Sequence, residues 1–253
     1  MKKAKKEVSA VLVTLTEGII KILKENVIGI YLTGSLSDGT FTPETSDIDL
    51  FVVFNKPLTD NHLQELASFH QQVENLHKNW TKRIECSYIP RDFLSSIQPP
   101  KTPRPYCNEG IFYPEAPYGN EWIINLYALY QSGITLKGLD FKKLIKPVDI
   151  LEVRAACIRD LTEAWQPKIQ NPDYLKSSHH QAYAVLTLCR IFYTLIFDDI
   201  VSKKYAAAWV KKEFSQQCKP MIETAENWRP GMEINLQEDI VAFFSLVVAA
   251  SEL

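Results

Sequence analysis

Near residue 148 the hydrophobic pattern of this chain changes period, so a single kind of packed layer cannot house all 253 residues. Before that point helix-like and strand-like segments alternate. Val8, Val11, Leu12, Leu15, Ile19, Ile20 and Leu23 recur at three- and four-residue steps, the apolar stripe of an opening helix. Val27 to Leu32 is a short β-branched and aromatic run ended by Thr33-Gly34-Ser35, and Ile48 to Phe54 is a second buried strand. Helical spacing returns from Thr59 to Trp80 through Leu63, Leu66, Phe69 and Val73, and Arg83 to Ile89 reads as a third strand. Six prolines between Ile97 and Gly119 argue against regular structure and predict a long loop that shapes the rim of a cleft. A helix from about Glu121 to Ser132 is closed by Gly133, and a second loop runs from about Gly138 to Pro147.

After Val148 only helical patterns follow. Leu151 to Trp165, His180 to Phe197, Lys203 to Phe214, Lys219 to Glu226 and Leu236 to Glu252 are joined by short polar links containing Pro167, Pro172, Pro230 and Gly231. The expected architecture is an α/β (α+β) domain over residues 1–147 followed by an all-α helical bundle domain over 148–253.

Charge narrows the partners. With 28 basic and 30 acidic residues there is no basic surplus to gather on one face, so nucleic acid is not an expected partner. The five cysteines are odd in number and contain no Cys-x-x-Cys pair, which excludes a disulfide framework and a zinc knuckle and fits a reducing cytoplasm. The basic start from Met1 to Lys6 ahead of Val8 to Leu15 imitates a signal peptide, but Glu7, Glu17 and Lys21 interrupt it. Tyr183 to Phe197 carries Thr187, Cys189 and Arg190 and falls short of the roughly 20 apolar residues a bilayer span needs, so no membrane segment is expected.

The chemistry concentrates in Gly34-Ser35 and, after eleven intervening residues, Asp47-Ile48-Asp49-Leu50. Strand alternation turns Asp47 and Asp49 to one face and Ile48, Leu50 and Val52 to the other. Two carboxylates so close repel unless a divalent cation lies between them, and Mg²⁺ is commonly held by one or two carboxylates together with substrate phosphates. Gly34 allows close backbone approach, the Ser35 hydroxyl can donate to a phosphate, and a helix starting near Leu36 would aim free N–H groups at the same anion. Glu85 supplies a third carboxylate on the next strand. An isolated Asp-x-Asp is as often a solvated turn; the coupling to Gly-Ser and Glu85 is what makes a site. His62, His70 and His77 lack the four-residue chelating step and read as surface residues, and the five tryptophans read as packing anchors.

Gly-Ser followed by Asp-x-Asp and a later strand carboxylate resembles the DNA polymerase β-type nucleotidyltransferase superfamily. The stretches Ser132-Gly133-Ile134-Thr135-Leu136-Lys137-Gly138, Val185 to Arg190, Val201 to Lys204 and Ala206 to Trp209 are similar to those of the aminoglycoside 3″/9-adenylyltransferases, which modify streptomycin and spectinomycin. The resemblance spans nearly the whole chain. It implies a nucleotidyltransferase domain with a mixed sheet, Mg²⁺ as cofactor and ATP as co-substrate, with transfer of AMP to an aminoglycoside or aminocyclitol hydroxyl. It also implies roles: Asp47 and Asp49 as Mg²⁺ ligands, joined by Glu85, which is also the general base; Ser35 and Ser46 beside the phosphates; Arg190 and Lys203 on the triphosphate. Arg190 lies inside an otherwise apolar helix, where a charge needs a partner; a salt bridge to Glu163 or Asp160 is the plainer alternative. Lys203 is otherwise an ordinary surface lysine.

Two departures bear on the acceptor. Streptomycin-modifying relatives carry Gly-Glu-Trp where this chain has Asn108-Glu109-Gly110, and His180 stands where they have an acidic residue. Both weaken a polycation site, so spectinomycin is favoured over streptomycin, with Glu109, Glu115 and Glu121 as acids that could line an acceptor pocket. The expected assembly is a monomer. The competing readings are a nucleotidyltransferase acting on a protein or tRNA acceptor and a catalytically silent nucleotide-binding module.

Overall fold

The expected apolar stripe of the first helix is a buried seam in the computed structural model, which describes residues 2–171 and 173–251. Pro172 and Glu252, each part of an expected link or helix, lie outside the described residues. Two compact units divide the chain, one up to Val148 and one from Asp149 onward. In the first, α1 (Lys2–Leu23), β1 (Val27–Thr33), α2 (Ser35–Asp38), β2 (Ile48–Phe54), α3 (Asp60–Leu76), β3 (Ile84–Pro90), β4 (Arg104–Asn108), β5 (Ile111–Ala116), α4 (Glu121–Ser132) and β6 (Ile134–Gly138) follow in order. The strands form one mixed sheet ordered β5-β4-β3-β2-β1-β6, in which β2 and β3 are parallel and the other neighbours antiparallel.

The two faces of the sheet are set by alternation. Ile48, Leu50, Val52 and Phe54 of β2, with Ile84, Cys86 and Tyr88 of β3, pack against Val8, Val11, Leu15, Ile19 and Leu23 of α1 and Leu66 and Val73 of α3. Burying each such side chain is worth about 1.5–3 kcal/mol, which is what fixes this register. On the opposite face, Phe51 meets Trp122 of α4 and Phe141, and Phe141 also meets Tyr31. That second face carries the odd-numbered residues of β2 and β3, Asp49 and Glu85 among them.

At four places the structure departs from the expected elements or completes them. The proline-rich segment does contain regular structure: β4 and β5 form a hairpin through Glu109 and Gly110, both at positive φ (49° and 78°). The prolines permit this because Pro105 sits in the register shift between Arg104 and Tyr106, and Pro114 lies on the edge strand β5, where a missing N–H is tolerated. Residues 134–138, to which the hydrophobic pattern gave no element, form the edge strand β6 against β1; largely exposed, they lack the alternation that marks a strand. The helix expected to start near Leu36 does start there, at Ser35, but is a single turn of four residues ended by Gly39 at φ +81°. His70 is buried rather than on the surface, because α3 turns Leu66, His70 and Val73 inward at a four- and three-residue step.

The second unit is helical: α5 (Ile150–Asp160), a π-helical turn (Leu161–Trp165), α6 (Gln166–Gln170), α7 (Ser178–Phe197), α8 (Lys203–Glu213), α9 (Ser215–Asn227) and α10 (Gln237–Ala250). α7 is its axis and packs against α5, α8, α9 and α10. Phe192 of α7 meets Trp209, Phe214 and Phe243. Buried Gln181 is satisfied twice, donating to the Leu175 carbonyl (2.7 Å) and accepting from the Leu236 N–H (2.6 Å). No helix among the described residues is long and apolar enough to cross a membrane. All five cysteines are free and buried, although the sheet brings Cys86 and Cys107 opposite each other on β3 and β4.

Candidate active site

Three neighbouring strands bring polar groups to one place. Thr33 on β1 pairs with Asp49 on β2, and Asp49 pairs with Glu85 on β3. Neighbouring strands run about 4.8 Å apart, and residues in register point to the same face, so the Asp49 and Glu85 carboxylates stand side by side. Their strand neighbours Ile48, Leu50, Ile84 and Cys86 are buried on the other face, which locks both acids onto this one.

Gly34 closes the first side of this site. Its backbone lies at φ +65°, ψ −153°, a region only glycine occupies cheaply. A methyl group on its Cα would sit 2.0 Å from Asp49 Oδ2, so the strand-to-helix turn runs directly against that carboxylate. Ser35 opens the short α2, and the Gly34 carbonyl accepts from the N–H groups of Ser37 and Asp38.

The loop at 39–47 closes another side. Ser46 Oγ accepts from the Thr42 N–H (2.9 Å), so this side chain shapes the loop that carries it. Asp47 lies one residue before the β2 ladder; its half-exposed carboxylate forms an ion pair with Arg83 at 3.8 Å. Arg83 also donates to the carbonyls of Pro43 (2.9 Å) and Ser46 and lies over the Trp80 ring at 4.6 Å. Among the described residues no three His, Cys, Asp or Glu side chains are grouped so as to hold a metal ion by themselves.

In the second unit, Tyr183, Thr187 and Arg190 follow at four- and three-residue steps along α7 and share a face. The half-buried Arg190 is near enough to Cys157 of α5 to counter the rise that burial imposes on that thiol, which still stands at about 12. Lys203 is the first residue of α8, behind the N-cap Ser202, and its ammonium lies 3.9 Å above the Tyr183 ring. Tyr183 in turn stacks on Trp165, whose indole N–H donates to Asp160 (3.0 Å). The cation is thereby placed by an aromatic pair, a contact worth about 0.5–1 kcal/mol at an exposed site.

The acceptor candidates fare unequally. Glu121 accepts from the Gly119 N–H (3.0 Å) and pairs with buried Arg104 (3.8 Å), so it is spent on the fold. Glu109 occupies the tip of the β4–β5 hairpin and Glu115 lies exposed on β5. His180 is held by Tyr174, ring against ring at 4.4 Å, with Nδ1 3.0 Å from the Tyr174 carbonyl oxygen. Trp228 stacks on His179 at 5.3 Å. Sequence reasoning missed Arg83 and Tyr183. Nothing local marks Arg83 beside Lys82, whereas the step of seven from Tyr183 to Arg190 was a readable helical signal.

Comparison with known proteins identifies both parts of the chain. Residues 16–99 match the family described as nucleotidyltransferase domain, and residues 143–249 match that described as aminoglycoside adenylyltransferase, C-terminal domain. A spectinomycin 9-adenylyltransferase of Campylobacter jejuni is 27% identical, over 81% of this chain and 79% of that protein. An aminoglycoside (3″)(9) adenylyltransferase of Shigella flexneri is 26% identical, over 91% and 88%. A spectinomycin adenylyltransferase of Enterococcus faecalis, solved with ATP and spectinomycin, shares the fold at a TM-score of 0.75 and 19% identity, covering 97% of this chain and 99% of its own. A nucleotidyltransferase domain ahead of an aminoglycoside adenylyltransferase C-terminal domain marks the chain as a nucleotidyltransferase enzyme, similar over most of its length to the aminoglycoside and spectinomycin adenylyltransferases.

Proposed function

We propose that this enzyme transfers AMP from ATP to a hydroxyl of an aminoglycoside or aminocyclitol antibiotic, spectinomycin in preference to streptomycin, and releases pyrophosphate. The observation that carries the reading is the register of Thr33, Asp49 and Glu85 across β1, β2 and β3, with Gly34 against the Asp49 carboxylate. The assignment is further supported by the relatives, which are named for spectinomycin or for aminoglycosides.

Glu85 takes the proton from the acceptor hydroxyl, and the freed oxygen attacks the α-phosphorus in line with the departing pyrophosphate. Ser35, Ser46 and the Gly34 turn lie against the phosphates. Arg190 and Lys203 hold the triphosphate and offset the charge that grows on the leaving group. The donor set suits Mg²⁺: Asp47, Asp49 and Glu85 offer hard carboxylate oxygens, and the ion routinely completes its shell with phosphate oxygens and water, so a closed three-residue protein cage is not needed. When bound, Mg²⁺ would neutralise phosphate charge and polarise the reacting phosphoryl group. The domain limits proposed are 1–147 and 148–253. A monomer in the reducing cytoplasm fits the five buried free thiols.

A His in place of an acid at position 180 and Asn108-Glu109-Gly110 in place of an aromatic-bearing turn support the preference for spectinomycin. The test is pyrophosphate release with ATP, Mg²⁺ and a panel of spectinomycin, streptomycin and other aminoglycosides. Spectinomycin should give the fastest turnover, and Glu85→Gln should keep ATP binding while lowering kcat by about 10²–10⁴. Silence across the panel with ATP bound, or near-normal turnover of the Glu85→Gln variant, would refute the reading.

A further inference from the structure

Building on that reading of Asp47, we propose that Arg83 is the positioning residue of the loop that presents Ser46 and Asp47, holding it in place ahead of Mg²⁺ and so setting the enzyme's affinity for the ion. Four contacts converge on this one side chain. Its guanidinium donates to the carbonyls of Pro43 and Ser46, pairs with Asp47, and lies over Trp80. Phe41, from the same loop, stacks on the other partner of that pair, Trp80, with ring centroids 6.0 Å apart. The remaining backbone bonds at 42–46 are internal, from the N–H groups of Thr45 and Ser46 to the Thr42 carbonyl. The loop is therefore a small closed turn tied down at Trp80 and Arg83.

Arg83 itself is anchored. Its carbonyl accepts from the Ile48 N–H (2.9 Å), the first bond between β3 and the strand that carries Asp49, and its own N–H donates to the Trp80 carbonyl (3.0 Å). One residue thus joins the loop to the strands that bear the other two acids. At 3.8 Å the contact to Asp47 is an ion pair rather than a hydrogen bond, so it orients the carboxylate by charge. Nη2 serves both carbonyls while Nε, which makes no hydrogen bond, faces Asp47, and the rigid guanidinium plane fixes that spacing in a way a point ammonium on a flexible stem does not. The opposite effect is conceivable from charge alone: a guanidinium beside Asp47 repels a divalent cation, and its removal would then tighten metal binding. The density of backbone contacts decides for positioning.

The experiment compares wild type with Arg83→Met and Arg83→Lys, measuring Mn²⁺ binding by paramagnetic resonance in the presence of a non-transferable ATP analogue, and turnover against Mg²⁺ concentration. Loss of an outer partner of a metal ligand typically weakens metal affinity about 10–100-fold, and both variants should show this while kcat at saturating Mg²⁺ stays within a few-fold of wild type. Arg83→Lys should fail to rescue. Proteolytic nicking between residues 39 and 47 should rise in the metal-free variants. Unchanged or tighter Mn²⁺ binding, a fall in kcat without a shift in metal dependence, or unfolding of both variants each overturns the proposal. Asp49→Asn separates this from the parent reading: if that variant binds Mn²⁺ as wild type does, the metal site itself is misassigned, whatever Arg83 does.

Discussion

Acid should destabilise this protein through one buried imidazole, and the size of the effect follows from the structure. His70 is 3% exposed, its Nε2 lies 2.7 Å from the Tyr88 hydroxyl, and its ring is packed against Phe69 and Phe112. Burial lowers its proton affinity from an ordinary 6.5 to about 4. Above pH 6.5 the residue is neutral both folded and unfolded and contributes no pH dependence. As the pH falls below 6.5 the unfolded chain takes up a proton that the folded chain refuses, so stability declines until the folded value near 4 is passed. At 1.36 kcal/mol per tenfold the full loss is about 3 kcal/mol, and about 2 kcal/mol is gone by pH 5. That is a large part of a typical stability of about 5–15 kcal/mol. His70→Gln keeps a nitrogen or oxygen near Tyr88 and cannot titrate. Its deficit relative to wild type at pH 7 should therefore shrink by about 2 kcal/mol at pH 5, in urea unfolding monitored at several pH values. Proton NMR of the histidine rings, with His70 identified by its absence in the variant, should show one imidazole still neutral at pH 5. A stability difference between the two proteins that is constant from pH 7 to 5, or a His70 resonance titrating near 6.5, would refute the argument.

Other outcomes follow from the same geometry. Gly34→Ala places a methyl group 2.0 Å from Asp49 Oδ2 and should lower kcat/KM more than about 100-fold, whereas Gly39→Ala, at φ +81° with open space around it, should cost about 1–2 kcal/mol in a thermal melt and leave activity nearly intact. Lys203→Met should raise the KM for ATP more than about tenfold. Tyr183→Leu, which removes only the ring beneath that ammonium, should raise it about two- to fivefold with kcat unchanged in initial-rate measurements.

Why the sequence reveals some of this and hides the rest can be argued from single residues. Val8, Val11, Leu15, Ile19 and Leu23 declare α1 because burial along a helix leaves a local period, and β2 declares itself through the apolar run at 50–54 between Asp49 and Asn55. The β4–β5 hairpin stayed hidden because its prolines are excluded from central strands but tolerated at a bulge and an edge, and only the sheet order distinguishes those positions. His70 was misjudged because its spacing to other histidines was weighed instead of its spacing to Leu66 and Val73.

Residue identity and local pattern set the types of groups available, namely three carboxylates, a Gly-Ser turn and an arginine in an apolar helix, together with the change from a mixed to an all-helical pattern near residue 148. Those properties are local, carried by residue identity and by periods of two and 3.6. Which of those groups meet depends on how the strands pair. Asp49 and Glu85 stand abreast because β2 and β3 pair in parallel at one register, Gly34 touches Asp49 because β1 ends beside it, and Arg83 fastens the Asp47 loop because a chain segment 40 residues from Pro43 returns to it. Such encounters depend on strand pairing between distant segments, and a pairing leaves no period in either segment alone.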